Sequence, residues 1–123
     1  MKTQKALGPL EHQIMDIVWI QQKSTVYSVV AELSKKKKLA YTTVMTVMTR
    51  LAKKGVLSRQ KKGKTYFYMP SESKDQFIHD VVKNTISKLV DMFGDEALIA
   101  FEDETKNLSD EQKEALLSKI DAS

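Results

Sequence analysis

Apolar side chains recur at helical spacing along the first part of the chain. Beginning at Pro9, whose missing N–H suits the first turn of a helix, they predict a helix that reaches Trp19. Ser24 and Thr25 offer an N-cap for a second, shorter amphipathic helix. In the third stretch the apolar residues fall at i, i+3, i+4 and i+7, which makes a single stripe: Val44, Val47, Met48 and Leu51.

The face opposite this stripe carries short hydroxyls first and cations last. Its polar residues are Thr42, Thr46, Thr49, Arg50 and Lys53, and Thr43 follows Thr42 as a fourth threonine and a further candidate for contact with DNA. Four β-branched threonines lower helix propensity, so this face is not built for helix stability alone. Small hydroxyls allow close approach to another surface, and the cations that follow can meet phosphates. We interpret the segment from Tyr41 to Lys54, which Gly55 ends as a C′ residue, as a DNA recognition helix.

Two short runs of apolar and aromatic residues follow Gly55, with a turn near Lys62 and Gly63 between them. They predict a β-hairpin whose tip is crowded by lysines: Lys61, Lys62 and Lys64. Three helices followed by a basic hairpin are typical of a winged helix-turn-helix domain. We expect these lysines to contact phosphates, Met45 to pack on a thymine methyl and the Tyr41 hydroxyl to reach a phosphate. Trp19, Tyr66 and Tyr68 are expected to be packing aromatics.

Charge divides the chain into two parts. Residues 1–70 hold 14 Lys and Arg against 3 Asp and Glu, a net of +11, whereas residues 71–123 have a net of −7. The basic part matches the electrostatic footprint of a polyanion binder, and the acidic part would be repelled by DNA. We therefore predict a DNA-binding domain over residues 1–70 and a domain with another task over residues 71–123.

The acidic part is rich in apolar residues at helical spacing. It predicts a long helix from Asp75 that ends before Gly94, a short apolar helix around Leu98, a polar break over 102–107 and a last helix begun by Ser109. Three helices in so few residues cannot bury that much apolar surface within one protomer. We therefore expect a homodimer whose shared core contains Phe77, Val81, Ile86, Leu89, Phe93, Leu98, Phe101, Leu116 and Ile120.

Composition excludes several classes of protein. The chain has no Cys, so it has neither a disulfide framework nor a thiolate metal site. His12 and His79 stand alone, without the spacing of metal ligands, and no catalytic motif is present, so we expect no metal, no cofactor and no enzyme activity. No apolar run is long enough to cross a membrane, which takes about 20 residues, so we expect a cytoplasmic protein without membrane insertion.

The residue pattern resembles the penicillinase-repressor family, which includes β-lactam-responsive and copper-responsive repressors. The resemblance is strongest over residues 10–70 and is carried by these motifs: Leu10-Glu11, Ile14-Met15, Trp19, Tyr41 to Thr46, Arg50-Leu51, Lys54-Gly55, Gly63 and Tyr68-x-Pro70. It implies a mainly α fold with a small β-hairpin, built from an N-terminal winged helix domain and a C-terminal helical dimerisation domain. It also implies repression through double-stranded operator DNA with inverted TACA/TGTA half-sites.

The resemblance also bears on the inducing signal. The copper-responsive branch carries paired Cys-x-Cys motifs, which this chain lacks. In the β-lactam-responsive branch, a membrane sensor protease triggers cleavage at an Asn-Phe bond in the dimerisation domain. The position that looks equivalent is Ala100-Phe101, which keeps Phe and has Ala in place of Asn, and it is our candidate cleavage bond.

Two other functions remain as alternatives. Winged helices also serve as protein-interaction scaffolds, although the +11 charge of residues 1–70 argues against this. A regulator of the multiple-antibiotic-resistance type would bind a small ligand at the domain junction. The late position of the dimerisation helices argues against that type.

Overall fold

The computed structural model describes residues 7–122; for 116, 117 and 119–122 it describes the backbone only. Its elements follow in chain order: α1 (Pro9–Gln21), α2 (Val26–Leu33), α3 (Tyr41–Lys53), β1 (Leu57–Lys62), β2 (Thr65–Pro70), α4 (Lys74–Phe93), α5 (Glu96–Lys106) and α6 (Asp110–Ala122). This is the predicted mainly α fold class with one β-hairpin. No helix among the described residues is both long and apolar enough to cross a membrane.

The first two helices begin at caps made by their own sequence. At α1, the Gly8 amide donates to Oε1 of Glu11 over 3.0 Å, so the third residue of the helix satisfies the entering backbone. At α2, Thr25 is the N-cap: the Ser28 amide donates to its Oγ1 over 3.1 Å, and the Thr25 amide donates to Oγ of Ser28 over 2.9 Å. The predicted starts of both helices are confirmed.

The hairpin is antiparallel and pairs Leu57 with Pro70 at its base and Lys62 with Thr65 at its tip. Gly63 begins the two-residue turn with a φ of 63°, a backbone conformation that glycine adopts without strain. A third short segment joins the sheet beside β2. The Ser24 amide donates to the Tyr68 carbonyl over 2.9 Å, and the Tyr68 amide donates to the Ser24 carbonyl over 2.7 Å. The sequence indicates Ser24 only as a candidate cap, and this bridge is a contact that residue spacing does not predict.

One hydrophobic core lies between α1, α2, α3 and the hairpin. The fully buried side chains include Ile14, Met15, Val18, Val29, Val44, Met48, Leu51 and Tyr68. The apolar stripe predicted for α3 faces this core along its whole length. Trp19 and Tyr68 are the packing aromatics that were expected.

The chain divides into two compact units, Met1–Val81 and Val82–Ser123, so the first unit extends into α4 beyond the boundary predicted at residue 70. The Trp19 and Phe77 rings meet at 5.2 Å between centroids, and Phe77 is 7% exposed. Its own chain therefore already buries most of Phe77, which leaves little of that ring to join a core shared between protomers. Val81 also packs against the first unit's core and is half-buried.

The second unit contains the rest of α4 together with α5 and α6. Helix α4 ends where predicted, at Gly94, whose φ is 76°. At the start of α6 the predicted capping box is present. The backbone amide of Gln112 donates to Oγ of Ser109 over 3.1 Å, and the backbone amide of Ser109 donates to Oε1 of Gln112 over 2.8 Å. The expected polar break over 102–107 is wrong, because α5 continues to Lys106. The side chains there are adequate helix formers, and Lys106 pairs with Glu102 one turn earlier at 3.9 Å.

Candidate nucleic-acid interface

Helix α3 is held by its apolar stripe and presents its other face to solvent. Val44, Met48 and Leu51 are completely buried, and Val47 is 7% exposed. On the outer face Thr42, Thr43, Thr46, Arg50 and Lys53 are exposed and Thr49 is half-buried. Tyr41 and Met45 lie one turn apart on the same helix and are 37% and 39% exposed. The α3 residues predicted to contact DNA are therefore brought together on one accessible helix surface.

The hydroxyl of Thr46 is already engaged within α3. It donates to the Thr42 carbonyl over 2.9 Å, which leaves the oxygen lone pairs and the methyl group of Thr46 for contact with a ligand. In this rotamer Thr46 can accept a hydrogen bond from a base amino group or pack on a thymine methyl, but it cannot donate. This narrows the contacts available at that position of the helix.

Toward its tip the hairpin carries exposed basic residues that pack against an aromatic ring. The Arg59 guanidinium lies 4.2 Å and the Lys61 ammonium 5.5 Å from the centroid of Tyr66. A hydrogen bond to the Tyr68 side chain raises the pKa of Arg59 above its ordinary value. Tyr66 is 39% exposed, so the expectation that it is a packing aromatic is wrong. Cation–π contacts with the Tyr66 ring restrict the positions of both Arg59 and Lys61 in the absence of a ligand.

The predicted wing lysines Lys61, Lys62 and Lys64 are all exposed near the hairpin turn. Arg59 was not singled out in the sequence analysis. The alternation of side chains along the strand could have identified it, since Arg59 and Lys61 share the face of Tyr66 and Tyr68.

A partly buried ion pair ties the end of α3 to the start of α1. The Lys54 ammonium lies 2.9 Å from Oε2 of Glu11, and their side chains are 31% and 11% exposed. Burial raises the pKa of Glu11, but the Gly8 amide and Lys54 together outweigh burial and place the pKa below its ordinary value. Glu11 is therefore charged at neutral pH and positions the C-terminal end of the recognition helix. The ion pair explains why the Leu10-Glu11 motif contains a carboxylate and the Lys54-Gly55 motif a cation.

Helix α2 carries an exposed aromatic residue that the sequence analysis passed over. Tyr27 is 72% exposed, and its ring stacks on Tyr41 with 4.6 Å between centroids. The available signal was its position, because Tyr27 falls outside the α2 stripe of Val26, Val29 and Leu33. The lysines between α2 and α3, Lys35 to Lys38, are exposed, as expected of a solvated turn.

An open cleft of about 380 Å³ lies between α1 and the segment that joins β2 to α4. Several polar groups around it are already engaged: the Trp19 indole donates to the Glu72 carbonyl over 3.1 Å, and Lys74 pairs with Asp16 at 3.1 Å. Nothing in this lining favours control by a small ligand. Among the described residues no group of three or more His, Cys, Asp or Glu is placed to hold a metal ion.

The residues predicted for dimerisation mostly lie exposed on the second unit. Leu89, Phe93, Leu98 and Phe101 are 38%, 60%, 45% and 48% exposed, and Ile86 is half-buried. The side chains of Leu116 and Ile120 lie outside the described residues. Ala100 and Phe101, which form the candidate cleavage bond, lie within α5 with both side chains exposed.

The chain is similar to known repressors. The family model described as "Penicillinase repressor" matches residues 7–122. A curated relative from Mycobacterium tuberculosis, "Transcriptional regulator BlaI", is 35% identical over 86 residues, which are 69% of this chain and 62% of the relative. A "Penicillinase repressor" from Staphylococcus aureus is 29% identical over 86 residues, which are 70% of this chain and 68% of that protein.

Among solved structures, the DNA-binding domain of the repressor BlaI is similar with a TM-score of 0.54 and 30% identity. The match covers 60% of this chain and 90% of that domain. It confirms the predicted winged helix fold, and the family match confirms the predicted resemblance. The matched family is one of repressors and not of enzymes, as predicted. The match spans less than two thirds of the mycobacterial relative's length.

Proposed function

The chain belongs to the penicillinase repressor family, and we propose that it is a homodimeric transcriptional repressor that binds a palindromic operator. One observation carries this proposal: a buried stripe fixes α3 in the core and leaves its hydroxyl and cationic face exposed as a unit. Such a face can enter the major groove, where the early residues of a recognition helix meet base edges. A repressor of this kind acts in the cytoplasm, where the DNA lies.

In this proposal the residues divide by task. Thr42, Thr43, Thr46 and Met45 read bases, because they lie in the first half of α3. Thr49, Arg50 and Lys53 on α3, Lys61, Lys62 and Lys64 on the wing, and the Tyr41 hydroxyl contact the phosphate backbone. Residues 1–70 supply these contacts, and residues 71–123 hold two protomers together so that two recognition helices meet half-sites about 34–36 Å apart, or a multiple of that distance. The half-sites are of the TACA/TGTA type.

The dimer is supported by the exposed apolar residues of the second unit. Ile86, Leu89, Phe93, Leu98 and Phe101 remain accessible in one protomer, which is costly in water unless another surface covers them. A second copy of the chain supplies a matching surface by symmetry.

Substitution of Thr46 tests the assignment of base reading. Thr46→Ala should lower the affinity for a selected operator by about 1–3 kcal/mol and leave binding to random DNA nearly unchanged. Lys62→Ala is the contrasting variant. It should weaken binding to the selected operator and to random DNA alike, and it should lower the log–log slope of affinity against salt concentration by about 1 per subunit. Affinities measured on both DNAs over a range of salt decide the matter. Equal losses for Thr46→Ala on both duplexes would contradict a base-reading role.

We further propose that cleavage of the Ala100–Phe101 bond, initiated by a membrane sensor protease, relieves repression. The bond lies inside α5, so the helix must open locally before a protease can cut it. Cutting there would separate Phe101 and the last helix from the dimer core, and operator affinity would drop. Mass spectrometry of the repressor from induced cells should show a fragment that ends at Ala100. An intact chain under full derepression would rule out this release mechanism.

A further inference from the structure

Tyr27 is an unusual residue for the outer side of α2. It is the second residue of that helix, lies outside the helix's apolar stripe and is 72% exposed. Within the described part of the chain its side chain has one recorded contact, the stack on Tyr41 at 4.6 Å with 43° between the ring planes. Tyr27 therefore contributes little to the core, and we look for its role at the surface of the domain.

The stack joins the two helices of the helix-turn-helix motif. Tyr41 opens the recognition helix, and Tyr27 lies in the first turn of the preceding helix. An offset or tilted aromatic pair at this spacing is favourable and restricts both rings. The two phenolic hydroxyls have no hydrogen-bond partner within the described residues, so both are free to donate to a ligand.

The position of Tyr27 suits the DNA backbone. In helix-turn-helix proteins the first helix of the motif crosses the backbone while the second enters the major groove. The nearest carboxylate along α2, Glu32, is paired with Lys35 at 3.2 Å, and the surrounding segment is strongly basic. A neutral donor that is ordered beforehand and surrounded by positive potential favours a phosphate oxygen.

We propose that Tyr27 is a positioning residue that donates its phenolic hydrogen to a backbone phosphate at the edge of each half-site. Tyr41 holds the Tyr27 ring, so the helix that crosses the backbone and the helix that enters the groove keep a defined register. This inference rests on the proposed function, because it assigns a further contact to the same DNA surface. It concerns a residue that carries no charge and so adds affinity without releasing a counterion.

The test uses the full-length protein and a duplex that it selects from random sequence in vitro. Tyr27→Phe removes one oxygen and keeps the ring stack. The loss of a hydrogen bond to a charged acceptor should lower affinity about tenfold per half-site, equally for the selected duplex and for random DNA. The log–log salt slope should remain that of the wild type, whereas loss of a lysine contact would lower it. An unchanged melting temperature would exclude a merely structural effect.

A modified duplex provides the matched control. Methylphosphonates, which remove the phosphate charge, are placed in symmetric pairs, one in each half-site, at each position of the selected site in turn. At the phosphate that Tyr27 contacts, wild type and Tyr27→Phe should bind equally, while they differ at every other position. If Tyr27→Phe binds unmodified DNA as the wild type does, or weakens only the selected duplex, the inference is overturned. Failure to select any duplex would contradict the proposed function itself, which separates the two outcomes.

Discussion

The two units of this chain use the same helical periodicity to different ends. In the first unit the apolar stripes of α1, α2 and α3 close on one another and on the hairpin, and residues such as Val44 and Leu51 are completely buried. In the second unit residues such as Leu89 and Phe93 repeat at similar spacing but remain exposed. The contrast shows that helical periodicity identifies the apolar face of a helix. It does not tell whether that face packs against the same chain or against a partner.

Charge follows the same division. The excess of Lys and Arg lies in residues 1–70, where exposed cations surround the outer face of α3 and the wing. The excess of Asp and Glu lies in residues 71–123, where the apolar residues are exposed. DNA repels an acidic surface, so the second unit can expose apolar side chains to a protein partner without itself binding DNA.

The largest effect is expected from breaking the proposed dimer. Leu89→Asp places a carboxylate among the exposed apolar residues of α4, and two such charges would meet across a two-fold interface. Sedimentation should then show a monomer, and operator affinity should fall by about 10²–10⁴-fold because the half-sites bind separately. Ser87→Asp is the matched control, since it adds the same charge to an exposed polar position of the same helix. A Leu89→Asp chain that stays dimeric would contradict the proposed interface.

The next largest effect is expected when the loss of unfolding free energy is compared for a leucine-to-alanine substitution in each unit. Leu51→Ala removes completely buried atoms and should cost about 2–5 kcal/mol of unfolding free energy at any protein concentration. The same atoms removed by Leu98→Ala come from a side chain that is 45% exposed. In the monomeric Leu89→Asp background that change should cost about 0.5 kcal/mol or less. Urea denaturation of both variants provides the comparison, and similar losses would show that α5 is buried within its own chain.

The sequence predicted the first unit well for a local reason. Caps such as Thr25, the turn at Gly63 and the α3 stripe are signals carried by neighbouring residues, and each appears in the structure as expected. Contacts between distant residues were missed. The Ser24–Tyr68 bridge, the burial of Phe77 against Trp19 and the Glu11–Lys54 pair depend on how the elements pack, which one-dimensional spacing does not encode.

The candidate interface was predictable to a similar extent. The outer face of α3 followed from periodicity, and the wing lysines followed from the hairpin turn. Tyr27 and Arg59 occupy positions that the sequence could have pointed out, but their contacts with the rings of Tyr41 and Tyr66 could not be predicted from it. Aromatic stacking between elements leaves no fixed spacing in the sequence.

The smallest effect concerns charge used inside the first unit. Because the pKa of Glu11 lies below its ordinary value of 4.5, the charged carboxylate stabilises the fold above pH 4.5, and this stabilisation is lost as pH falls through the lowered pKa. Glu11→Gln should therefore cost about 1 kcal/mol at neutral pH, and its difference from wild type should vanish in acid. Glu32→Gln, which removes an exposed partner of Lys35, should change stability by only a few tenths of a kcal/mol, about the value of a surface pair. Unfolding free energies from pH 3 to 7, about the range that a carboxylate titration spans, decide between them. If the Glu11→Gln difference were constant across that range, Glu11 would contribute through its shape and not through its charge.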